Sequence, residues 1–410
     1  MNKRIPIRLV PILVLGIVLA CPALAQNEGT PNAVNRVGDP EQWLQYRSAN
    51  EATQIVPDMG YQYLQASSSK PQSPKLPEFK SDKPFFLEWK TPMVAAGRIW
   101  MAFDKSNPKG QYDRLYLDAN ANGDLSDDPV YQPYRRESSV SYFGPVKVVF
   151  EAPDGPITYH LGVQLRTYSS DQTYCLLSPA GWYEGQITVG GAKKRCLLVD
   201  HNVNGTFNDK SRDYSQSDRI RIGEQSNATE AGAVGNYVEL DNKLYKLDVA
   251  RDGACVTLTE AKDVSYGTVQ LADNLTTVIA SGENGSFIRK PEKGIVKLPV
   301  GDYRVDSWSI VRKDAAGANW EMKGMLPPSG SGAALTVAQD KEANLSVGEP
   351  IYSTVQATKS GSVYSFEQKL EGRQGERVVL TRNGSQPPPP KLHIKNRDGS
   401  YDRSINSEYG

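Results

Sequence analysis

The chain has no net charge and almost no histidine. Its 410 residues include 47 basic, 47 acidic and three histidine side chains. This balance excludes a basic field that would hold nucleic acid and a charged face that would hold a membrane. None of His160, His201 and His393 has a metal-ligand spacing, and no nucleophile elbow, phosphate loop or dinucleotide fingerprint is present. A non-enzymatic protein is therefore favoured, although the paired acids of a glycosidase converge only in a fold.

Helical periodicity and long apolar runs are also scarce. After Gln26 no apolar run approaches the length of a membrane helix, and only residues 40–47 predict a helix. Elsewhere short β-rich runs, such as residues 98–103 and 255–258, alternate with Gly, Pro, Asn and Asp. The predicted fold is mainly β: a duplicated β-hairpin or meander region followed by a C-terminal β-sandwich, immunoglobulin-like or transthyretin-like.

The N-terminal residues predict export. Two basic residues precede an apolar run at 5–20, and Ala23 and Ala25 place small side chains at the positions that a signal peptidase reads. A signal peptide over residues 1–25 predicts a mature chain from Gln26, in the periplasm or outside the cell. The alternative is cleavage before Cys21, after a loose lipobox, which would make the protein a membrane-anchored lipoprotein with its lipid anchor at Cys21.

Beyond this region only Cys175, Cys196 and Cys255 remain. In an oxidising compartment one pair would form a disulfide and one thiol would be left over. Cys175 and Cys196 lie near the ends of two predicted strands and are the favoured pair. The alternative is that all three are small, buried apolar residues.

Composition divides the chain into five segments. Residues 67–83 are rich in Pro, Ser and Lys, and they predict an extended linker or a strap over a sheet. The β pattern changes near residue 265, and a turn at 299–301 separates two alternating strands beyond it. The predicted divisions are a signal peptide at 1–25, an N-terminal segment and linker at 26–83, the duplicated hairpin region at 84–262, the sandwich at 263–394 and a flexible tail at 395–410.

One motif occurs twice, 82 residues apart and without a gap. The stretches LYLDANANGDLSDD and LLVDHNVNGTFND share D-x-N-x-N-G, and each follows a predicted β-hairpin. Ca²⁺ takes about six to eight oxygen ligands, which short carboxylates and amides at alternating positions supply while Gly allows a sharp bend. The metal-ligand candidates are Asp118, Asn120, Asn122, the Asp124 carbonyl, Ser126, Asp127 and Asp128 in the first turn, and Asp200, Asn202, Asn204, the Thr206 carbonyl, Asn208 and Asp209 in the second.

Both turns resemble the calcium loop of EF-hand and dockerin-type modules, with two departures. Pro129 and Ser211 stand at the twelfth position in place of the bidentate Glu, and the flanking elements are predicted strands. The first turn has up to four carboxylates, whereas the second has two, with Asp213 as a third nearby. These features predict structural sites of the weak extracellular kind, with a Kd of roughly 10⁻⁴–10⁻³ M.

A turn without metal is the alternative interpretation. Asn, Asp and Gly are the ordinary residues of tight turns, because Asn and Asp side chains bond their own backbone and all three tolerate a left-handed φ. The recurrence of the motif favours the metal. Leu125 and Phe207 share the eighth position of the two turns and predict an apolar contact of each turn with the core.

Residues 75–258 resemble a group of uncharacterised secreted bacterial proteins, found especially among planctomycetes. The elements that carry the resemblance are KLPEFKSDKPFFLEWKTPM, YDRLYLDANANGDLSDD, YEGQITVGGAKKRCLLVDHNVNGTF and YKLDVARDGACVTL, in this order. The resemblance implies a bacterial envelope setting and the pairing of hairpins with calcium-type turns. It implies no activity, because none is established for the group.

The predicted role is that of an exported, non-enzymatic cell-envelope or extracellular protein with structural calcium turns. The alternative is a carbohydrate-binding or carbohydrate-active, hydrolytic secreted protein, because aromatic side chains on a sheet face stack on sugar rings. Trp182, Tyr183 and Trp308 are the candidates for such stacking, with core packing as the competing interpretation. The expected partner is a glycan or an envelope protein, without nucleic acid and without a transmembrane helix.

Overall fold

The structure, a computed structural model, describes residues 39–49, 59–153, 155–169, 172–223, 232–326 and 333–407. These residues form 31 β-strands and one short 3₁₀ helix, Tyr214–Gln216, and they contain no α-helix. The mainly β fold predicted from the sequence is confirmed. No helix among the described residues is long and apolar enough to cross a membrane. The predicted signal peptide and Cys21 lie outside the described residues.

The first eighteen strands form four antiparallel sheets. The strands are β1 Glu41–Trp43, β2 Gln45–Ser48, β3 Gln62–Gln65, β4 Phe85–Lys90, β5 Arg98–Asp104, β6 Arg114–Leu117, β7 Val130–Tyr131, β8 Arg135–Arg136, β9 Val140–Phe150, β10 Ile157–Ser169, β11 Gln172–Pro179, β12 Gly181–Val189, β13 Ala192–Val199, β14 Arg219–Ile222, β15 Gly232–Ala233, β16 Tyr237–Leu240, β17 Lys243–Val249 and β18 Cys255–Glu260. The sheet orders are β1-β18-β17-β16, β3-β11-β10-β9-β8, β15-β14-β13-β12-β2 and β4-β5-β6-β7.

One continuous apolar core joins these four sheets. Phe143 and Val148 of β9 and Leu161 of β10 point inward and belong to the same buried cluster as Met101 of β5 and Leu115 of β6. Successive side chains of a strand point to opposite faces, so β9 and β10 bury mainly alternate residues. In β5 and β6 consecutive residues are buried, because both faces of these strands are covered. Each large apolar side chain removed from water contributes roughly 1.5–3 kcal/mol.

The predicted helix at 40–47 is wrong, because these residues form β1 and β2. The strand β1 pairs with β18 and β2 pairs with β12, so each completes the edge of a different sheet. Leu44 lies between them and is buried, and its N–H donates to the Ala254 carbonyl over 2.8 Å. Ladder hydrogen bonds at two sheet edges outweigh the weak helical pattern of so short a segment.

Residues 67–83 lie as a strap over the sheet β4-β5-β6-β7. Ser67 pairs with Phe86, and Lys75 pairs with Asp124, through isolated bridges. The Phe79 ring lies 5.7 Å from the Phe86 ring and packs on the outer apolar cluster of that sheet. Of the two interpretations of this Pro-rich segment, the strap is confirmed.

The remaining thirteen strands follow from residue 266. They are β19 Tyr266–Gln270, β20 Thr277–Gly282, β21 Gly285–Arg289, β22 Ile295–Pro299, β23 Gly301–Lys313, β24 Asn319–Met325, β25 Ala334–Val337, β26 Glu342–Asn344, β27 Tyr352–Ser360, β28 Val363–Glu371, β29 Arg377–Arg382, β30 Lys391–Lys395 and β31 Asp402–Asn406. The sheets are β22-β19-β26, the larger sheet β21-β20-β23-β24-β29-β28-β27 with β25 on β23, and the pair β30-β31. The β19–β26 pair is parallel.

A second apolar core draws on both larger C-terminal sheets. Val269 and Val296 come from the three-stranded sheet, and Val305 and Trp308 come from β23 of the other. The predicted turn at 299–301 connects β22 to β23, so the chain passes there from one sheet to the other. This arrangement is compatible with the predicted sandwich.

The C-terminal residues form a hairpin, where a flexible tail is predicted from residue 395. The strand β30 pairs with β31 and places Leu392 opposite Ile405. Asn396 closes the turn, since its Oδ1 accepts the Tyr401 N–H over 2.9 Å, and Gly399 supplies a φ of 75°. Alternating apolar residues on both sides of a turn with Asn and Gly are a hairpin pattern.

The three cysteines in the described residues are buried, and Cys175 and Cys196 form no disulfide with each other. Burial raises the pKa of Cys196 to about 12 and also raises the pKa of Cys175. The predicted bridge between Cys175 and Cys196 is therefore not formed. The alternative, small apolar side chains in the core, is confirmed.

Candidate functional site

Both D-x-N-x-N-G turns begin where a buried strand ends. Asp118 follows β6 and Asp200 follows β13. The fourth residues of the turns, Ala121 and Val203, have φ values of 57° and 58°, and the glycines at the sixth position have 82° and 91°. Two left-handed residues two positions apart curl the backbone tightly, which brings the polar side chains of each turn to one side.

In the Asp118 turn (residues 118–128), side-chain oxygens accept successive backbone N–H groups. Asp118 accepts the N–H groups of Asn122 and Gly123, each over 2.9 Å. The Asn122 Oδ1 accepts the Asp124 N–H over 2.7 Å, and the Asn122 Nδ2 donates to Asp127 Oδ2 over 2.8 Å. Hydrogen bonds thus link the first, fifth and tenth residues of the motif.

The Asp200 turn (residues 200–209) has the same pattern. Asp200 accepts the N–H groups of Asn204 over 3.3 Å and Gly205 over 2.7 Å. The Asn204 Nδ2 donates to Asp209 Oδ2 over 2.8 Å. In both turns the third-position asparagine accepts the N–H two residues later, over 3.0 Å and 3.1 Å.

The eighth residue of each turn anchors it to a core. Leu125 is 1% exposed in the outer cluster of the sheet β4-β5-β6-β7, and Phe207 is 2% exposed in the main core. The apolar contact predicted for both positions is confirmed.

The two turns differ in the acid that accepts the N–H of the second residue. The Ala119 N–H bonds to the Asp128 carboxylate, whereas the His201 N–H donates to Asp218 Oδ1 over 3.0 Å. Asp218 Oδ2 also accepts the Asp209 N–H over 2.8 Å. Asp218 directly precedes β14 and lies outside the motif, so the repeated pattern does not predict its role. The one available signal was an acidic residue just before an alternating strand.

Hydrogen bonds within the protein satisfy the Asp200 turn. The Tyr159 hydroxyl donates to Asp200 Oδ2 over 2.8 Å, and the Val203 N–H donates to Oδ1 over 2.7 Å. The Trp89 Nε1 donates to the Val203 carbonyl over 2.6 Å, which holds a β-branched residue in its unusual φ. Asp209 Oδ2 accepts three side-chain donors from the turn, at 2.6 to 3.1 Å.

Hydrogen bonds satisfy the polar groups of the Asp118 turn less fully. Asp128 Oδ2 is buried and has no hydrogen-bond partner. Burial raises the pKa of Asp118, and it raises the pKa of Asp128 to about 6, with a further rise from the Asp118, Asp127 and Asp124 charges. The hydrogen bond from Lys75 Nζ, at 2.6 Å, lowers the pKa of Asp124 to about 2. Lys75 thus pairs with Asp124, one of the four carboxylates of the turn.

Buried acids also repel one another around the Asp200 turn. Asp200 and Asp218 are both 0% exposed. Burial raises the pKa of Asp200 to about 7. Burial, and then the charges of Asp200 and Asp209, raise the pKa of Asp218 well above its usual range. The N–H and O–H groups that donate hydrogen bonds to these two carboxylates lower their pKa values.

A hard cation at either turn would depend on amide and carbonyl oxygens. Across the described ranges, no three His, Cys, Asp or Glu side chains are placed to hold a metal ion by themselves. Each carboxylate has roughly four lone-pair sites, and Asp118 uses two of them for backbone N–H groups. The Ser126 hydroxyl donates to Asp124 Oδ1, and no hydrogen bond links the Asn208 side chain to its turn. Hydrogen bonds thus link Asp118, Asn122 and Asp127, and the Asp128 charge acts on the same group. Ser126 is bonded to Asp124 instead.

No protein-family model matches the chain, and neither the curated proteins nor the solved structures contain a significant match to it. The resemblance to secreted planctomycete proteins stays a prediction.

The turn between β17 and β18 lies against the Asp200 turn and contains a buried acid. The Phe207 N–H donates to the Arg251 carbonyl over 3.0 Å. Asp252 is 0% exposed; its Oδ1 accepts the Ala254 N–H over 3.1 Å, and its Oδ2 has no partner. Burial raises the pKa of Asp252 above 3.8. Burial, and then the Asp252 charge, raise the pKa of Tyr183.

We expect Asp252→Asn to remove a pH-dependent loss of stability. A carboxyl with a raised pKa holds its proton more tightly in the folded protein than in the unfolded chain. The stability that this tighter proton binding contributes is therefore lost as the pH rises from 3.8 through the raised pKa of Asp252. Urea unfolding should show the variant to be more stable than wild type at about pH 7.5, with the gap closing near pH 4. Asp263→Asn, at an exposed position, is the control. A difference in the free energy of unfolding between Asp252→Asn and wild type that does not change with pH would contradict the prediction.

Proposed function

We propose that the protein is an exported, non-enzymatic component of the cell envelope or extracellular space, stabilised by calcium at the Asp118 turn. The observation that carries the calcium assignment is the buried Asp128 Oδ2, which has no hydrogen-bond partner, in a carboxylate that the charges of Asp118, Asp127 and Asp124 repel. A divalent cation would neutralise this charge and take up the unused oxygen lone pairs.

The position of the Asp118 turn explains what a cation would stabilise there. The Lys75 N–H of the strap donates to the Gly123 carbonyl over 2.8 Å, and the Leu125 N–H donates to the Lys75 carbonyl over 3.0 Å. On the other side, the Val149 N–H of β9 donates to the Ala119 carbonyl over 2.9 Å. The turn therefore joins the strap and two different sheets, and a bound ion would hold three elements at once.

The Asp200 turn supports only a weaker site. Its central carboxylates accept hydrogen bonds from Tyr159, Thr206 and two asparagines, so a cation would have to displace donors that the protein already supplies. We therefore assign calcium to the Asp118 turn, whereas hydrogen bonds hold the shape of the Asp200 turn.

Thermal melting of the mature chain in calcium and in chelator tests the assignment. At about a hundredfold excess over Kd, a cation that binds only the folded protein adds about 2.7 kcal/mol, which corresponds to a shift in Tm of roughly 5–10 °C. Asp118→Asn should abolish most of the shift, since the side chain keeps its size and loses its charge. Asp200→Asn, the matched change in the other turn, should retain it. A wild-type Tm that is equal in calcium and chelator would overturn the calcium proposal.

The export proposal has a separate test. Its support is the sequence of residues 1–25, and the intact mass of the protein made with these residues distinguishes the outcomes. A mass that begins at Gln26 supports the secreted form, and a lipidated mass that begins at Cys21 supports the anchored form. An uncleaved chain would contradict both.

A further inference from the structure

The sheet β3-β11-β10-β9-β8 presents an aromatic and basic face to solvent. The inward residues of its strands lie in the main core, so the alternate residues point out. We call the outward set Tyr63, Tyr142, Tyr174, Arg135, Gln164 and Arg166 the tyrosine face. Tyr63 is 52% exposed, and Tyr168 beside the face is 61% exposed. Exposed aromatic side chains gathered on one surface mark an interaction site.

The rings continue from strand to strand. Tyr63 stacks on Tyr174 with 5.0 Å between ring centroids and 22° between planes. Strand register then places Tyr174 opposite Arg166, and the Arg135 guanidinium lies 5.2 Å from the centroid of Tyr142. From β3 to β8 the face spans four strand spacings, or roughly 19 Å. This length suits several consecutive units of a polymer.

Arg166 lies at the centre of the face without an acidic partner. It forms no ion pair with a carboxylate in the described part of the chain, and its Nε has no hydrogen-bond partner. Its Nη2 donates to Gln164 Oε1 over 3.2 Å. Arg135, in contrast, is paired with Glu137. The face thus presents one uncompensated guanidinium between two groups of tyrosine rings.

A groove extends the face beyond its edge strand. It has a volume of about 710 Å³ and is lined by Tyr61 and Tyr63 together with Asn202 and Asn204 of the Asp200 turn. Tyrosine hydroxyls offer hydrogen bonds to hydroxyl-rich ligands, whereas the Asn202 and Asn204 amides are already bonded within the Asp200 turn. The face and the groove share Tyr63, so one extended ligand can contact both.

We infer that the tyrosine face binds an acidic polysaccharide, with sugar rings over Tyr63 and Tyr174 and a uronate carboxylate on Arg166. Sugar rings turn C–H groups toward the electron-rich face of an aromatic ring. A guanidinium binds a carboxylate through two parallel hydrogen bonds. Nucleic acid fits less well, since it requires a field of basic residues and this chain has no net charge.

The aromatic residues singled out from the sequence are not on this face. Trp182 is 9% exposed, and Tyr183 and Trp308 are each 1% exposed. They are core residues, as the competing interpretation holds. The tyrosines of the face lie on three different strands, and only the sheet register brings them together.

Affinity electrophoresis of the mature chain in gels that contain polygalacturonate tests the inference. The buffer contains EGTA, so that calcium cannot bridge the acidic turns to the polymer and the result is independent of the calcium proposal. The wild-type chain should be retarded. Tyr63→Ala and Arg166→Gln should each weaken binding by about tenfold or more. Tyr364→Ala removes a tyrosine that is 57% exposed on β28, away from the face, and should bind as wild type does.

Three results would overturn the inference. They are an unretarded wild-type chain, face variants that bind as tightly as wild type, and equal retardation by a neutral glucan. All substituted positions on the face are at least partly exposed, and the Tm of each variant checks that it is folded. Retardation that weakens as sodium chloride is added supports the Arg166 contact, because salt screens exposed charges.

Discussion

Asp200→Ala is expected to lower the free energy of unfolding by roughly 3–5 kcal/mol, whether or not calcium is present. The carboxylate is 0% exposed and accepts the Val203 and Gly205 N–H groups and the Tyr159 hydroxyl. Alanine leaves these buried donors without an acceptor, and each unpaired donor costs about 1–3 kcal/mol. The loss of a buried charge with a raised pKa offsets only part of this cost. Urea unfolding in EGTA measures the difference.

Two matched variants show whether the burial of Asp200 is the cause. Asp263→Ala removes an exposed carboxylate and should change the free energy of unfolding by less than about 0.5 kcal/mol. Asp118→Ala removes a carboxylate that is 3% exposed and accepts backbone N–H groups but no buried hydroxyl. Its effect in EGTA should lie between those of Asp263→Ala and Asp200→Ala. An Asp200→Ala protein within about 1 kcal/mol of wild type would show that the turn keeps its shape without this carboxylate.

The two turns are the part of the site that local sequence predicts well. Asp118 and Asp200 recur with the same spacing to Gly, and short polar side chains bond the backbone within a few residues. Such interactions need no distant partner. The apolar anchors Leu125 and Phe207 are also predictable from local sequence, because each is an apolar residue at the same position of an otherwise polar turn, and both are buried.

Other parts depend on contacts that no local pattern encodes. Asp218 stabilises the Asp200 turn from 18 residues away, and its place is set by the pairing of β13 with β14. Residues 40–47 form strands because two sheet edges are free to pair with them. The tyrosine face is a product of register, since Tyr63 meets Tyr174 only when β3 pairs with β11. Tertiary pairing decides these features, and propensity does not.

Tertiary packing also predicts a large effect on stability in the C-terminal core. Trp308→Ala should lower the free energy of unfolding of this region by about 3–5 kcal/mol, because it removes a large buried side chain and leaves a cavity. Its Nε1 donates to Glu376 Oε1 over 2.9 Å, and Glu376 is 0% exposed. Gly324 lies directly against the indole, where an added Cβ would be 2.2 Å from a ring atom. The cavity is thus tightly enclosed, and a buried carboxylate loses a donor.

Trp320→Ala is the matched control for that substitution. Trp320 is on β24, is only partly buried and donates its Nε1 to Asp314 Oδ2 over 3.0 Å, so its removal should cost about 1 kcal/mol. Thermal unfolding followed by tryptophan fluorescence compares the two variants. Retention of Trp308→Ala on polygalacturonate should equal that of wild type below its Tm, because Trp308 belongs to the C-terminal core. Lost retention in a folded Trp308→Ala protein would place sugar contacts at this tryptophan and contradict its assignment to the core alone.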